Sequence, residues 1–404
     1  MKAYSFLVVG LMLFVSCNQN SESKANPVIS IDSPAGSSSA LPSLFSNGEQ
    51  TLLSWVESVN DSTSVLKYAQ LLDGDWQEPQ EIIRGVDWFV NWADFPTIAE
   101  NNGHLISHIL KKSSPETFSY DIKMNMFSSK SGQWKTNLEL HSDSTQTEHG
   151  FVTLLPYKND SFFATWLDGR NTAGSGHGHH SGAMTIRAAE VNLNGVVHNE
   201  YSLDERTCDC CQTSAAITNN GPVVVYRDRS SDEVRDMSIV RMVYGKWTEP
   251  KPVYKDNWQI KGCPVNGPKA AALGNNLVVA WFTEANNEAK VKVAFSADGG
   301  AQFDLPIRIG TEKVLGRVDI VIIDANSAIV SWMESTEKQA QFKAIKVHKS
   351  GNVGKSIVIT EMDNSRKSGF PQMELVGQNL YFAWTHINDN SELIKTAKVS
   401  LESF

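Results

Sequence analysis

A chain of 404 residues with 41 % apolar and 20 % charged residues has the make-up of an ordinary folded globule, which excludes global disorder. Its net charge of −9 is spread along the chain, which excludes the basic face a nucleic-acid partner requires and leaves no acidic tail. The length exceeds one average domain, but a closed repeat of short strands uses it as a single unit.

The chain begins Met1-Lys2, followed by an apolar run from Phe6 to Val15 and then Ser16-Cys17. A positive start, a short apolar stretch and a small residue describe a secretory signal over residues 1–16, too short to span a bilayer. Cys directly after the small residue resembles a bacterial lipoprotein signal. That resemblance implies lipidation of Cys17, attachment to a membrane through the lipid, and a place in the cell envelope at the outer membrane. An ordinary secretory signal with an incidental Cys is the alternative. Residues 17–27 are polar without apolar periodicity and are expected to form a flexible tether. Residues 28–404 are expected to form one domain.

A repeat then runs to the end. An apolar strand closing on an aromatic or histidine recurs as Leu52-Leu53-Ser54-Trp55, Leu105-Ile106-Ser107-His108, Phe163-Ala164-Thr165-Trp166, Val223-Val224-Val225-Tyr226, Val278-Val279-Ala280-Trp281, Ile329-Val330-Ser331-Trp332 and Tyr381-Phe382-Ala383-Trp384. The last positions are separated by 53, 58, 60, 55, 51 and 52 residues, an interval that unrelated strands have no reason to keep. A polar loop and a second strand of period-two alternation follow each, then a tight turn such as Gly74-Asp75-Trp76 or Gly245-Lys246-Trp247. Four short strands per repeat predict an all-β chain: a β-propeller of seven four-stranded blades, six being the alternative count. The last repeat is one strand short, and Val28-Ile29-Ser30-Ile31 is expected to complete it, closing the ring through the two ends of the chain. No segment shows sustained helical periodicity.

One turn is more specific. Ser296-Ala297-Asp298-Gly299-Gly300-Ala301-Gln302-Phe303 resembles the Asp-box, Ser-x-Asp-x-Gly-x-x-Trp, with Phe303 in the aromatic place; Ser296, Asp298, Gly300 and Phe303 carry the match. In such a turn the Asp accepts backbone N–H groups, Gly takes a left-handed conformation and the aromatic packs beneath. Ser128 to Trp134 resembles a degenerate copy. The chain is therefore similar to the sialidase-like, Asp-box (BNR repeat) propellers over nearly its full length. The motif is structural. Sialidases pair an arginine triad with a Tyr–Glu couple and an acidic Asp, and neither an Arg-Ile-Pro element nor that set can be assigned here residue by residue.

In a propeller, loops entering the innermost strand and loops joining the second and third strands open on one face. That rule gathers Cys208, Cys210 and Cys211 before repeat four, Cys263 before repeat five, and Asp168-Gly169-Arg170 with His177, His179 and His180 in repeat three. The four cysteines suit a disulfide pair in an oxidising compartment, a Zn or Cu site with the histidines, or free reactive thiols. Arg170, Arg227, Arg229 and Arg317 fall in the same loops and suit recognition of carboxylate or sulfate on an acidic glycan. Asp94, His149, Asp168, Tyr226 and Asp319 are candidate acids and bases. Trp88, Phe89 and Trp92 either stack on sugar rings or plug the channel. Three functions follow from these residues: a glycan-active enzyme (a sialidase-like hydrolase or a lyase of acidic polysaccharides), a non-catalytic propeller binding an anionic glycan or a protein, or a metal-binding lipoprotein. The chain is expected to act as a monomer.

Overall fold

The computed structural model describes residues 26–173, 182–388 and 391–404. The signal, Cys17, nearly all of the tether and the histidines 177, 179 and 180 lie outside the described residues. The strands form seven antiparallel sheets, one per sequence repeat, as the interval predicts. Within each sheet the aromatic- or histidine-ending segment is the second strand: Thr51–Ser58, His104–Lys112, Ser161–Asp168, Gly221–Arg227, Asn276–Thr283, Ser327–Ser335 and Asn379–Asn388. The first strands are innermost, because Ser43, Thr153, Ser214, Lys269, Ile320 and Gln372 line a narrow central channel of about 170 Å³. Helix is confined to short 3-10 turns among the described residues, none of which is long and apolar enough to cross a membrane.

The repeat signature has a packing cause. Trp55, Trp166 and Trp332 are buried between blades, and each indole N–H donates to a carboxylate two residues on: Glu57 at 2.8 Å, Asp168 at 2.9 Å and Glu334 at 3.0 Å. Such an acceptor satisfies the one polar group of a buried indole. The carboxylate in turn pairs with a nearby cation, Lys67, Arg170 or Lys343. In blades one and four the outer strand is split in two, Asp75–Trp76 from Gln80–Gly85 and Lys246–Trp247 from Lys251–Pro252. Pro79 and Pro250, which cannot donate to the ladder, sit at the two breaks.

The ring closes as expected. Ile29, Ser30 and Ile31 pair antiparallel with Lys398, Ala397 and Thr396, giving blade seven its outer strand. The Asp-box lies between the third and fourth strands of blade five. Ser296 Oγ donates to Asp298 Oδ1 at 2.8 Å and accepts from the Gly300 N–H at 2.9 Å, while Asp298 accepts from the Gln302 N–H at 2.9 Å. Gly300 has φ +81°, and a Cβ there would lie 2.6 Å from Ile239.

The innermost strands of blades one, three and six carry bulges at which a non-glycine residue adopts positive φ: Leu41 at 61°, Phe151 at 54° and Arg317 at 52°. Each bulge turns one amide sideways, where a side chain of the preceding blade accepts it. Thr385 Oγ1 takes the Leu41 N–H at 3.2 Å, Asp94 Oδ1 the Phe151 N–H at 2.7 Å and Asn266 Oδ1 the Arg317 N–H at 2.7 Å.

Candidate functional site

Two of the loops gathered by topology, those carrying Cys210 and Cys263, line one cavity, and the Asp168-Gly169-Arg170 loop does not line it. A cavity of about 430 Å³ opens at the channel mouth and is walled by the loops entering blades two, three, four, five and seven. Aromatic side chains Phe89, Trp92 and Phe118 form one wall, and Cys210, Cys263 and Asp209 form another. Glu148 and Tyr120 lie between them, with Asp94 deepest, lining both the cavity and the channel.

Tyr120 opens the third strand of blade two, and Glu148 directly precedes the first strand of blade three. The Tyr120 hydroxyl donates to Glu148 Oε1 at 2.8 Å and lies 3.3 Å from Asp94 Oδ2. Phe89 stacks on the Tyr120 ring at 4.2 Å, so the ring is wholly buried and the half-buried Glu148 carboxyl is the member exposed to the cavity. Burial raises the Glu148 pKa to about 8, against the opposing pull of the Tyr120 hydroxyl bond. Burial likewise raises Asp94 to about 7. Asp94 fits only because residue 150 is glycine: a Cβ there would lie 1.9 Å from its Oδ2.

Behind this group lies a second polar cluster. His141 and His149 stack at 3.9 Å, and the Asp143 Oδ2 atom lies 2.8 Å from His141 Nδ1 and 3.1 Å from His149 Nε2. Asp143 and Asp168 raise the His149 pKa although burial opposes it. His141 Nε2 is occupied by the Ile122 N–H at 3.3 Å, and His149 Nδ1 lies 3.3 Å from the Tyr120 carbonyl. Two carboxylates and a stacked imidazole pair thus pack behind Tyr120 and meet it at its carbonyl.

Several candidate residues need correcting in role. The four arginines do not converge: of them Arg229 lines the cavity, while packing engages Arg170, Arg227 and Arg317 away from it. Arg227 is buried and donates to the carbonyls of Asn266, Arg235 and Phe282, with its face on Trp258. Arg317 donates to Ser368 Oγ and to the Gly369 and Ser365 carbonyls between Trp92 and Phe370. Arg170 forks onto Asp168, and Arg229 pairs with Glu233 and Asp209. Asp168 is the acceptor of the Trp166 indole, Tyr226 donates to Asp204 at 2.5 Å, and Asp319 accepts the Met373 N–H in the channel. Of the five candidate acids and bases, only Asp94 lines the cavity. Phe89 and Trp92 line it as well, whereas Trp88 packs over Gly85 away from it.

The cavity's own cations are Arg229, Arg235, Lys261 and Arg366. Arg235 is buried, donating to Glu233 at 2.7 Å and to Cys208 Sγ at 3.0 Å. No hydrogen bond or ion pair engages the Lys261 or Arg366 side chain among the described residues, and Arg366 lies over the Trp92 ring. Tyr120, Glu148, Lys261 and Arg366 are functional candidates that sequence reasoning missed. The same loop rule covers all of them, but a lone tyrosine, glutamate or lysine at a strand end carries no signal of its own.

Among the described residues, Cys208, Cys210, Cys211 and Cys263 form no disulfide. Cys208 Sγ lies 4.0 Å from Cys210 Sγ and 3.7 Å from Cys211 Sγ. Hydrogen bonds from the Cys210 and Cys211 thiols, helped by Arg235, hold the Cys208 pKa well below the usual thiol range. Cys263 reaches the cluster from the next blade, beside Cys210.

No family model matches the chain, and no curated protein matches its sequence. Solved structures match its fold. A polysaccharide lyase described as an ulvan lyase superposes with a TM-score of 0.58 at 12 % identity, over 92 % of this chain and 96 % of that one. The polysaccharide lyase Uly1 gives 0.52 at 8 % identity, over 90 % of each chain. The endosialidase of phage phi92 gives 0.51 at 10 % identity, over 93 % of this chain and 69 % of that one. The expected resemblance to sialidase-like propellers therefore holds for the fold.

Proposed function

We propose that the central cavity binds an acidic glycan and that Glu148 acts there as the general acid in its cleavage. The observation that carries this reading is one juxtaposition: a half-buried carboxyl whose proton is held to about pH 8, facing a cavity lined by aromatic residues and by Lys261 and Arg366, whose side chains make no hydrogen bond or ion pair among the described residues. A carboxylic acid still protonated near neutrality can donate to a leaving glycosidic oxygen. Phe89, Trp92 and Phe118 line the cavity with apolar surface for a sugar ring, and Lys261 and Arg366 offer charge to its carboxylate or sulfate. The wholly buried Tyr120 is a positioning residue that holds the Glu148 carboxyl, and Asp94 anchors Tyr120 from below. The solved propellers of this fold named above, two polysaccharide lyases and an endosialidase, are in keeping with a glycan in the cavity.

The test incubates the purified full chain with uronate-containing and sialylated polysaccharides. Unsaturated uronate ends signal elimination, and new reducing ends without them signal hydrolysis. Glu148→Gln should lower turnover by about 10²–10⁴-fold while leaving glycan binding in place. Turnover unaffected by this change, or binding without any turnover in the parent chain, would refute the catalytic role; in the second case the cavity is a lectin site.

A further inference from the structure

Behind the part of the cavity wall that carries Cys210, three sulfur atoms meet. We propose that Cys208, Cys210 and Cys211, completed by Cys263 from the loop into blade five, form a thiolate site for one closed-shell thiophilic metal ion, Zn²⁺ or Cu⁺. The geometry is the first support. Ligand atoms of the three neighbouring cysteines lie within 4.8 Å of one another, with separations from Cys208 of 3.7 and 4.0 Å. Sulfurs bound at about 2.3 Å around a tetrahedral ion stand about 3.8 Å apart, so little movement is needed to accept one.

Charge is the second support. Arg235 is almost wholly buried, directs one N–H at Cys208 Sγ and leaves its Nε without a partner. A buried guanidinium aimed at sulfur fits an anionic cluster and offsets the excess negative charge that several thiolates keep after binding a cation. Chain geometry is the third. Cys208 is pinned by its N–H to the Arg227 carbonyl, so the Cys-x-Cys-Cys turn is fixed at its first member. Cys263 is exposed at the rim and free to close on Cys210. Soft thiolates select Zn²⁺ or Cu⁺ over hard cations such as Ca²⁺ or Mg²⁺. An ion there would tie blade four to blade five along the wall that faces Glu148.

The test uses the full chain purified without chelator or oxygen. Metal analysis, Zn²⁺ and Cu⁺ titrations and Co²⁺ substitution should give one ion per chain, with thiolate-to-cobalt charge-transfer absorption. Cys211→Ser should abolish stoichiometric binding. Cys263→Ser, at an exposed position with no packing role, should remove about a quarter of the charge-transfer intensity if four thiolates bind a tetrahedral ion, and should leave Cu⁺ binding intact if three suffice. Cys208, Cys210, Cys211 and Cys263 all titrating as thiols with no uptake of any of the three metals would overturn the proposal. So would a disulfide among these cysteines in protein whose thiols were blocked before lysis. None of these readouts involves glycan turnover, so this proposal and the Glu148 reading can fail separately.

Discussion

Arg227 shows how a side chain that looks like a ligand-binding group becomes structural. Its guanidinium is 2 % exposed and satisfies carbonyls of three separate segments, two of them belonging to the next blade. The sequence places it correctly at the end of a second strand. Its role is not legible there, because the accepting carbonyls lie 8 to 55 residues away and no residue type marks them. Glu148 is the reverse case: an ordinary glutamate whose surroundings make it unusual. Its hydroxyl partner gives a sharp test. The hydrogen bond from Tyr120 stabilises the carboxylate, so removing it should raise the Glu148 pKa further above about 8. A general acid works only while protonated, so the parent rate should fall as pH rises through about 8, and Tyr120→Phe should move that limb upward. A pH–rate profile checks this; a limb left in place, or moved down, would show that Tyr120 does not act through Glu148.

At the scale of the element, one device recurs around the ring. A side chain at the mouth of one blade accepts a backbone amide from the innermost strand or entry loop of the next: Thr385 for Leu41, Asp94 for Phe151, Gln212 for Gly267, Asn266 for Arg317 and Asp319 for Met373. These bonds join blades that share no ladder, and they explain why Asp319, a candidate acid by sequence, has a structural role. Asn266→Ala leaves a buried amide unpaired and should destabilise the fold by about 1–3 kcal/mol, with Thr385→Ala similar; the urea midpoint at unchanged slope reads this. A midpoint within error of the parent for both would mean that the latches carry no stability. The strands themselves were legible, because an apolar run closing on an aromatic recurs at a near-constant interval, whereas the acid two residues on serves Trp55, Trp166 and Trp332 and Trp281 turns instead to Asp256. The bulges were not. Positive φ is ordinarily announced by glycine, and here it falls on Leu41, Phe151 and Arg317.

For the whole molecule, seven blades and closure by the chain ends follow from counting aromatic-ended strands, so the architecture was open to a reader of the sequence. The cavity was not, since loops from five blades wall it and no linear segment contains more than a part. Closure makes its own prediction. Deleting residues 26–31 removes three residue pairs and little apolar burial, Ile29 being 55 % exposed. The variant should stay folded, lose about 1–3 kcal/mol in urea, and self-associate through the bared edge of Ser391–Ser400 in size-exclusion chromatography. Global unfolding would show that this strand is required for the ring to form at all.

That short outer strand has a mechanical meaning. Three paired residues and one hydroxyl contact, from Thr396 to the Ile31 carbonyl, are all that the first strand offers against tension applied at the amino-terminal side of the chain. The remaining three strands of blade seven are continuous in sequence from Gln372 to Ser400 and do not depend on it for their order. A pull is therefore taken up first at the rim, by a seam that can part and re-form, and the strain is relieved there before it reaches the loops that shape the cavity.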